Sequence, residues 1–235
     1  MQDLAQALQI SFQLIFALES HLIQVVSLSM HVSLIAVLIS ATIALPLAAT
    51  LALGKFPGRK IITLCINVFM GLPPVVVGLF VYILISRSGP FGVWGLLFTP
   101  TAMIIAQVIL VIPIMTAIAR QIFEELNQEY SDLFNSLGVP LTRRIATILW
   151  DGRFTLTTAG LAGFGRAISE VGAVMIVGGN IDELTRVMTT SIALEARKGD
   201  LSMAMALGII LIFVALTVNL ITYALTELGK TGLKK

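Results

Sequence analysis

Residues 22–54 read LIQVVSLSMHVSLIAVLISATIALPLAATLALG, thirty-three positions without an Asp, Glu, Lys or Arg, closed by the basic turn Lys55 to Lys60. An apolar run of about 20 residues suffices to cross bilayer hydrocarbon. This one is long enough to cross while tilted, and similar runs recur at about 61–86, 101–119, 154–181 and 201–226. At about 1.5 Å of rise per residue each can span. The sequence therefore predicts an all-α integral membrane bundle of about five transmembrane helices. Gly71-Leu72-Pro73-Pro74 inside the second run and Pro113 inside the third interrupt helical hydrogen bonding, which a membrane tolerates where neighbouring protein satisfies the freed backbone.

Composition agrees with lipid as the solvent. Of 235 residues 57% are hydrophobic and 12% charged, against roughly a quarter charged in soluble domains. The formal charge of +2 reflects basic loops, and nucleic acid is not implied as a partner. The single cysteine, Cys65, excludes an intrachain disulfide and a multi-cysteine metal site. No basic region followed by a short apolar core and a small-residue cleavage site opens the chain, so the first span is expected to direct insertion.

Lys and Arg set the orientation. Lys55, Arg59, Lys60, Arg120, Arg143, Arg144, Arg153, Lys230, Lys234 and Lys235 fall on one side, Arg87, Arg186, Arg197 and Lys198 on the other, with Arg166 inside the fourth span. The ten-residue side is read as cytoplasmic, which puts the amino terminus outside and the carboxyl terminus inside. Residues 1–21 carry Gln2, Gln6, Gln9 and Gln13 at helical spacing opposite Leu4, Leu8, Phe12 and Ile15, the pattern of an interfacial helix. A sixth span is the competing reading. Residues 22–228 then form the transmembrane domain and 229–235 a cytoplasmic basic tail.

The cytoplasmic segment 120–153 contains EELNQEYSDLFNSLGVPLTRRIATILWDGR from Glu124 to Arg153. Ser131 or Asp132 can cap a helix start, Leu133, Phe134 and Leu137 give it an apolar face, Gly138 fits its end, and Pro140 blocks continuation. A second helix is expected from Leu141 to Trp150, with Arg143 and Arg144 facing cytosol or headgroups. An apolar helix in water calls for a protein to dock on, or it folds back on its own bundle.

This segment resembles the cytoplasmic loop of binding-protein-dependent ABC permeases, whose pattern is Glu-Ala-Ala, three residues, Gly, nine residues, Ile, one residue, Leu-Pro. Gly138 and Ile148 match the glycine and isoleucine; Asp132-Leu133-Phe134 stands for Glu-Ala-Ala, and Trp150-Asp151 for Leu-Pro. NVFMGLPPVVVGL from Asn67 to Leu79 resembles the Leu-Pro-Pro-Val-Val-Val-Gly of molybdate permeases. GRAISEVGAVMIVGGNI from Gly165 to Ile181, followed by TRVMTTSIALE from Thr185, resembles the molybdate, sulfate and tungstate group, and most of all its tungstate branch.

The resemblance implies a type I ABC importer permease fold in a prokaryotic cytoplasmic membrane. It implies that Asp132, Leu133, Phe134, Leu137 and Gly138 belong to a coupling helix seated in the cytoplasmic ATPase. It further implies two copies of the chain lining one path, two ATPase subunits holding ATP and Mg, an extracytoplasmic oxyanion-binding protein and surrounding lipid as partners. The cargo is then a tetrahedral oxyanion, tungstate first, with molybdate or sulfate as alternatives.

Pathway or gate candidates come from the fourth span. Arg166 and Glu170, four apart, share a helix face and can pair as a fixed brace or as a gate. Thr158, Ser169 and Asn180, with Thr155 and Thr157, add polarity that either lines a path or bonds within helices. Gly160, Gly163, Gly165 and Ala167 permit close helix packing. No cofactor, metal or catalytic set belongs to the chain. Gly229-Lys230-Thr231 lacks the first glycine and the preceding strand of a P-loop, and His21 and His31 have no metal-ligand companions. An intramembrane enzyme using Glu170 or Asp151 is the remote alternative.

Overall fold

The computed structural model describes residues 2–17 and 19–232, and the side chains of 8–17, 19–224 and 227. Lys234 and Lys235 and the side chains of Gln2, Leu4, Gln6 and Lys230 lie outside that set. The described chain is helical: α1 (Gln2–Phe16), α2 (Ser20–Leu53), α3 (Arg59–Met70), α4 (Pro74–Ile85), α5 (Pro100–Ser136), α6 (Leu141–Asp151), α7 (Arg153–Ile168), α8 (Gly172–Gly178), α9 (Met188–Lys198) and α10 (Leu201–Gly232), with a single 3-10 turn at Gly92–Trp94.

Among the described residues α2, α5 and α10 are each long and apolar enough to cross a membrane, and the broken pairs α3 with α4 and α7 with α8 bring the number to five if each pair is one span. The helix α1, fifteen residues long, is not among them. Its Ser11 is fully buried and donates to the carbonyl of Ser202 at 2.7 Å, while Phe12 and Phe16 stay exposed.

The break expected at Gly71 to Pro74 is present: the second span breaks at 71–73, and Pro74 becomes the first residue of α4, where its missing N–H costs nothing. Three expectations change. Pro113 does not break α5, which runs thirty-seven residues, about 55 Å, past the hydrocarbon thickness of about 30 Å. No helix therefore starts at Ser131 or Asp132; Ser131 Oγ back-bonds to the Gln128 carbonyl at 3.1 Å inside α5. The fourth span ends as a helix at Ile168 and resumes at Gly172. Residues 229–232, the first part of the expected basic tail, continue α10 as helix.

The chain divides into two compact units. Unit 1 comprises Met1–Ala36, Pro73–Gln107 and Ala167–Thr217. Within it α4 and α8 pack closely: a Cβ on Gly78 would lie 2.7 Å from the Ala173 Cα, so only glycine admits this approach. Ser29 Oγ on α2 accepts the Met188 N–H at 2.7 Å, which fixes the start of α9.

Unit 2 comprises Val37–Leu72, Val108–Arg166 and Val218–Lys235. Ala48, Ala49 and Ala52 of α2, Ile122, Phe123 and Phe134 of α5, Ile148 of α6, and Leu156 and Ala159 of α7 form its buried core. Small alanines opposite large phenylalanines let the helices approach and leave the ring faces covered. Gly163 serves packing as expected, since a Cβ there would meet Met115 Cγ at 2.8 Å. Glu124 receives Arg59 at 2.8 Å and Arg120 at 3.0 Å, so two cations read as cytoplasmic meet at one carboxylate.

Candidate functional site

The end of α5 closes as a Schellman motif. Gly138 has φ +60°, in the left-handed region that glycine enters without a Cβ penalty. The Val139 N–H donates to the Phe134 carbonyl at 3.0 Å and the Gly138 N–H to the Asn135 carbonyl at 3.3 Å, the two bonds that define this cap. Val139 also packs on the core that holds Phe134, the apolar contact that accompanies such ends. Pro140 then supplies the extended residue from which α6 begins.

The five residues named for coupling separate by burial. Phe134 is only 4% exposed and belongs to the core of unit 2, so its face is turned inward rather than to a partner. Leu133 and Leu137, at 52% and 69% exposed, form an apolar ridge one helical turn apart, and Asp132 and Gly138 lie exposed beside it. Leu141 and Trp150 add exposed apolar area on α6.

Arg144 departs from the expectation of a side chain facing cytosol or headgroups. Its Nε donates to the Val139 carbonyl at 2.8 Å and its Nη2 to the Phe134 carbonyl at 3.2 Å and to Asn135 Oδ1 at 3.1 Å. The guanidinium carbon stands 5.5 Å from the Phe134 ring centre. A cation at a helix C-terminus meets the negative end of the dipole. Sequence spacing could not show this, because Arg143 and Arg144 look alike until the turn places one of them against the carbonyls.

The pathway candidates are placed as follows. Arg166 occupies the last turn of α7. Glu170 falls in the break after Ile168, which removes the shared helix face assumed for the two residues. The Glu170 carboxylate is 4% exposed, and its Oε1 accepts the Ala173 N–H at 3.1 Å in the first turn of α8. The Glu170 carbonyl accepts Thr189 Oγ1 at 2.8 Å, and Gln107 Nε2 donates to the Ala167 carbonyl at 3.0 Å. Side chains of α5 and α9 thus satisfy backbone freed by the break, as the membrane requires. Gln107 and Thr189 were not among the candidates; no motif marks a lone Gln in an apolar helix.

Ser169 lies exposed in the same break. Thr158 Oγ1 donates to the Thr155 carbonyl at 2.6 Å, the within-helix bond. Asn180 closes α8 together with Gly179: their φ values of +52° and +71° form a left-handed pair, which Asn and Gly tolerate best. The Thr185 hydroxyl completes that turn, donating to the Gly178 carbonyl at 2.6 Å and accepting the Ile181 N–H at 2.9 Å. Asn180 thus has a turn-forming role.

The loop after α8 is tied to the start of α2. Asp182 Oδ1 meets His21 Nε2 at 3.1 Å and Arg186 Nη1 at 2.8 Å, beside a cavity of about 390 Å³ that His31 also lines. Burial alone pushes the Asp182 carboxyl up, but the His21 hydrogen bond and the Arg186 charge outweigh it and hold the group below the usual carboxylate range. His21, without a role from spacing alone, therefore gains one at this loop, while His31 lines the neighbouring cavity.

Comparison of the sequence with known proteins finds tungstate and anion permeases among its relatives. The chain is 37% identical over 227 residues, 97% of its length and 100% of the other's, to the tungstate uptake system permease protein TupB of Peptoclostridium acidaminophilum. It is 39% identical over 171 residues to the protein of the same name in Campylobacter jejuni, covering 73% of this chain and 72% of that one. A probable anion ABC transporter permease protein of Haloferax volcanii is 40% identical over 205 residues, 85% of this chain and 88% of its own. The model of the binding-protein-dependent transport system inner membrane component matches residues 42–229. With that match covering most of a multi-pass helical chain, the protein belongs to the family of binding-protein-dependent transport system inner membrane components, the permease subunits of ABC transporters.

Proposed function

We propose that this permease carries tungstate inward, as one of two identical copies that line a path beneath an extracytoplasmic oxyanion-binding protein and above a dimer of ATPase subunits. The observation that carries the cargo is the match, over 97% of this chain and 100% of the other, to a tungstate uptake permease. A molybdate or sulfate permease of the same build is the alternative.

The chain's part in the cycle is mechanical. ATP and Mg belong to the ATPase partner, whose closure and opening must be felt through a surface of this chain. The ridge of Leu133 and Leu137, exposed at the end of a helix that outruns the membrane, is the surface suited to that contact. Leu141 and Trp150 widen it. When the ATPase dimer closes on ATP, the two ridges move together and the permease turns outward; hydrolysis resets it inward. At the break at 169–171 the freed backbone groups already bond to side chains, so helical bonding in neither α7 nor α8 depends on continuity across it. Arg166 precedes that break, Ser169 and Glu170 lie within it, and the three are the gate candidates. Thr158, bonded within its helix, and Asn180, in a turn, remain pathway candidates.

Deleting the chain should abolish high-affinity tungstate uptake and leave most molybdate uptake, measured as cell-associated metal at trace supply with re-expression as the control. Unchanged tungstate accumulation in the deletion strain defeats the assignment. Loss of molybdate or sulfate uptake with tungstate intact moves the cargo to that alternative.

A further inference from the structure

We infer that Arg144 is a positioning residue that locks the turn between α5 and α6, so that the ridge of Leu133 and Leu137 moves with α6 as one piece when the ATPase pushes on it. The inference rests on the reading that this turn meets the ATPase, and deepens it.

The Schellman bonds alone fix the end of α5. They do not fix α6, which is joined through Gly138, Val139 and Pro140, a stretch whose exposed members offer no side-chain bond across the turn. Proline contributes no N–H there. Beside the apolar contacts of Ile145, Ile148 and Leu149 with the core, Arg144 is the α6 side chain whose hydrogen bonds reach back across the turn. One guanidinium bonds oxygens on both sides of the turn: the Phe134 carbonyl and Asn135 amide oxygen of α5, and the Val139 carbonyl of the connection. The Phe134 ring beneath it sits in the core, so the lock is anchored to buried structure.

The geometry needs the planar fork. Nε and Nη2 point in fixed directions toward separate acceptors, whereas a lysine ammonium is a single point on a flexible stem and meets one of them at a time. The backbone cap and the Ile148 core contact survive loss of the side chain, so the chain still folds. What changes is rigidity: force applied to Leu137 would swivel the turn instead of shifting α6.

The test uses the full complex of permease, ATPase and binding protein in lipid vesicles, with Arg144→Gln and Arg144→Lys. Thermal midpoint and ATPase co-elution should stay near wild type. Amide exchange across residues 134–145 should rise at least about tenfold in both variants, since each loses at least one hydrogen bond from a charged group. ATP hydrolysed per tungstate delivered should rise several-fold, and Lys should not rescue it. Wild-type exchange with wild-type coupling in Arg144→Gln overturns the inference. Loss of ATPase co-elution without a change in exchange also overturns it, because Arg144 then acts by touching the ATPase. Normal coupling in Leu137→Asp sinks the docking reading instead, while the exchange measurement still decides the lock.

Discussion

Replacing Gly138 separates backbone from bulk at the coupling turn. The residue has φ +60°, and a Cβ built there meets nothing within 4 Å. Any cost therefore comes from holding a side-chain-bearing residue in the left-handed region, about 1–2 kcal/mol for most residues and the upper part of that range or more for a β-branched one. Asn visits this region with less penalty because its short amide bonds locally. The expected order is Gly, then Asn, then Ala, then Val. At about 2 kcal/mol, Gly138→Val leaves the cap formed in only a few per cent of molecules if the closed and open turns were balanced within a fraction of a kcal/mol beforehand. Insertion and dimerisation should be normal in all four, since the turn lies outside every span. The assay is co-elution of ATPase with purified permease, followed by tungstate transport and ATP hydrolysis in vesicles. Wild-type coupling in Gly138→Val would remove this loop as the ATPase contact. Asn performing as badly as Val would refute the backbone argument, because the turn would then be rejecting bulk that the open space says it accepts.

A reporter after Asn135 should stay cytoplasmic and one near Asp182 extracytoplasmic, and equal location of both would overturn the charge-based orientation. Gly78→Leu should cost several kcal/mol by forcing α4 off Ala173, whereas Gly160→Ala, whose Cβ meets nothing within 4 Å, should be neutral or gain up to about 1 kcal/mol; thermal midpoints in detergent report both. Phe134→Ala should lower the midpoint as a core truncation of about 3–5 kcal/mol, while Leu137→Asp should leave it unchanged and reduce ATPase co-elution. The lowered Asp182 carboxyl stabilises the fold above the ordinary carboxylate range and loses that contribution as pH falls through its own depressed value, so the midpoint gap between wild type and Asp182→Asn should close on acidification and not on alkalinisation.

What the sequence disclosed is what composition and local chemistry control. Long apolar runs located the membrane helices, and Gly138 announced a left-handed helix end that the structure has. The break at Gly71 to Pro74 was visible because two prolines cannot be ignored. The break at 169–171 was not: no proline marks it, and Ser-Glu-Val-Gly reads as ordinary helix until tertiary partners on α5 and α9 make the broken form satisfactory. Pro113 misled in the opposite direction, since α5 carries it without stopping. Burial was equally illegible within the coupling segment. Leu133, Phe134 and Leu137 form one apolar set in the sequence, and only the packing shows that the phenylalanine is core and the leucines are surface.

The seven residues of α8 make about 10 Å of helix, a third of the hydrocarbon the chain must cross. A segment that short does not partition into lipid by itself when the ribosome delivers it, because the insertion machinery weighs stretches of about twenty residues. It has to be delivered as the trailing part of α7 and then find its seat on α4, which emerged much earlier. The seat is the notch at Gly78, where Ala173 comes closer than any side chain would allow. Until α8 arrives that notch has no occupant, and a chain halted before Gly172 leaves this face of α4 unfilled. Substitutions at Gly78 should accordingly reveal themselves first in how much permease reaches maturity, with the molecules that do mature transporting at an ordinary rate.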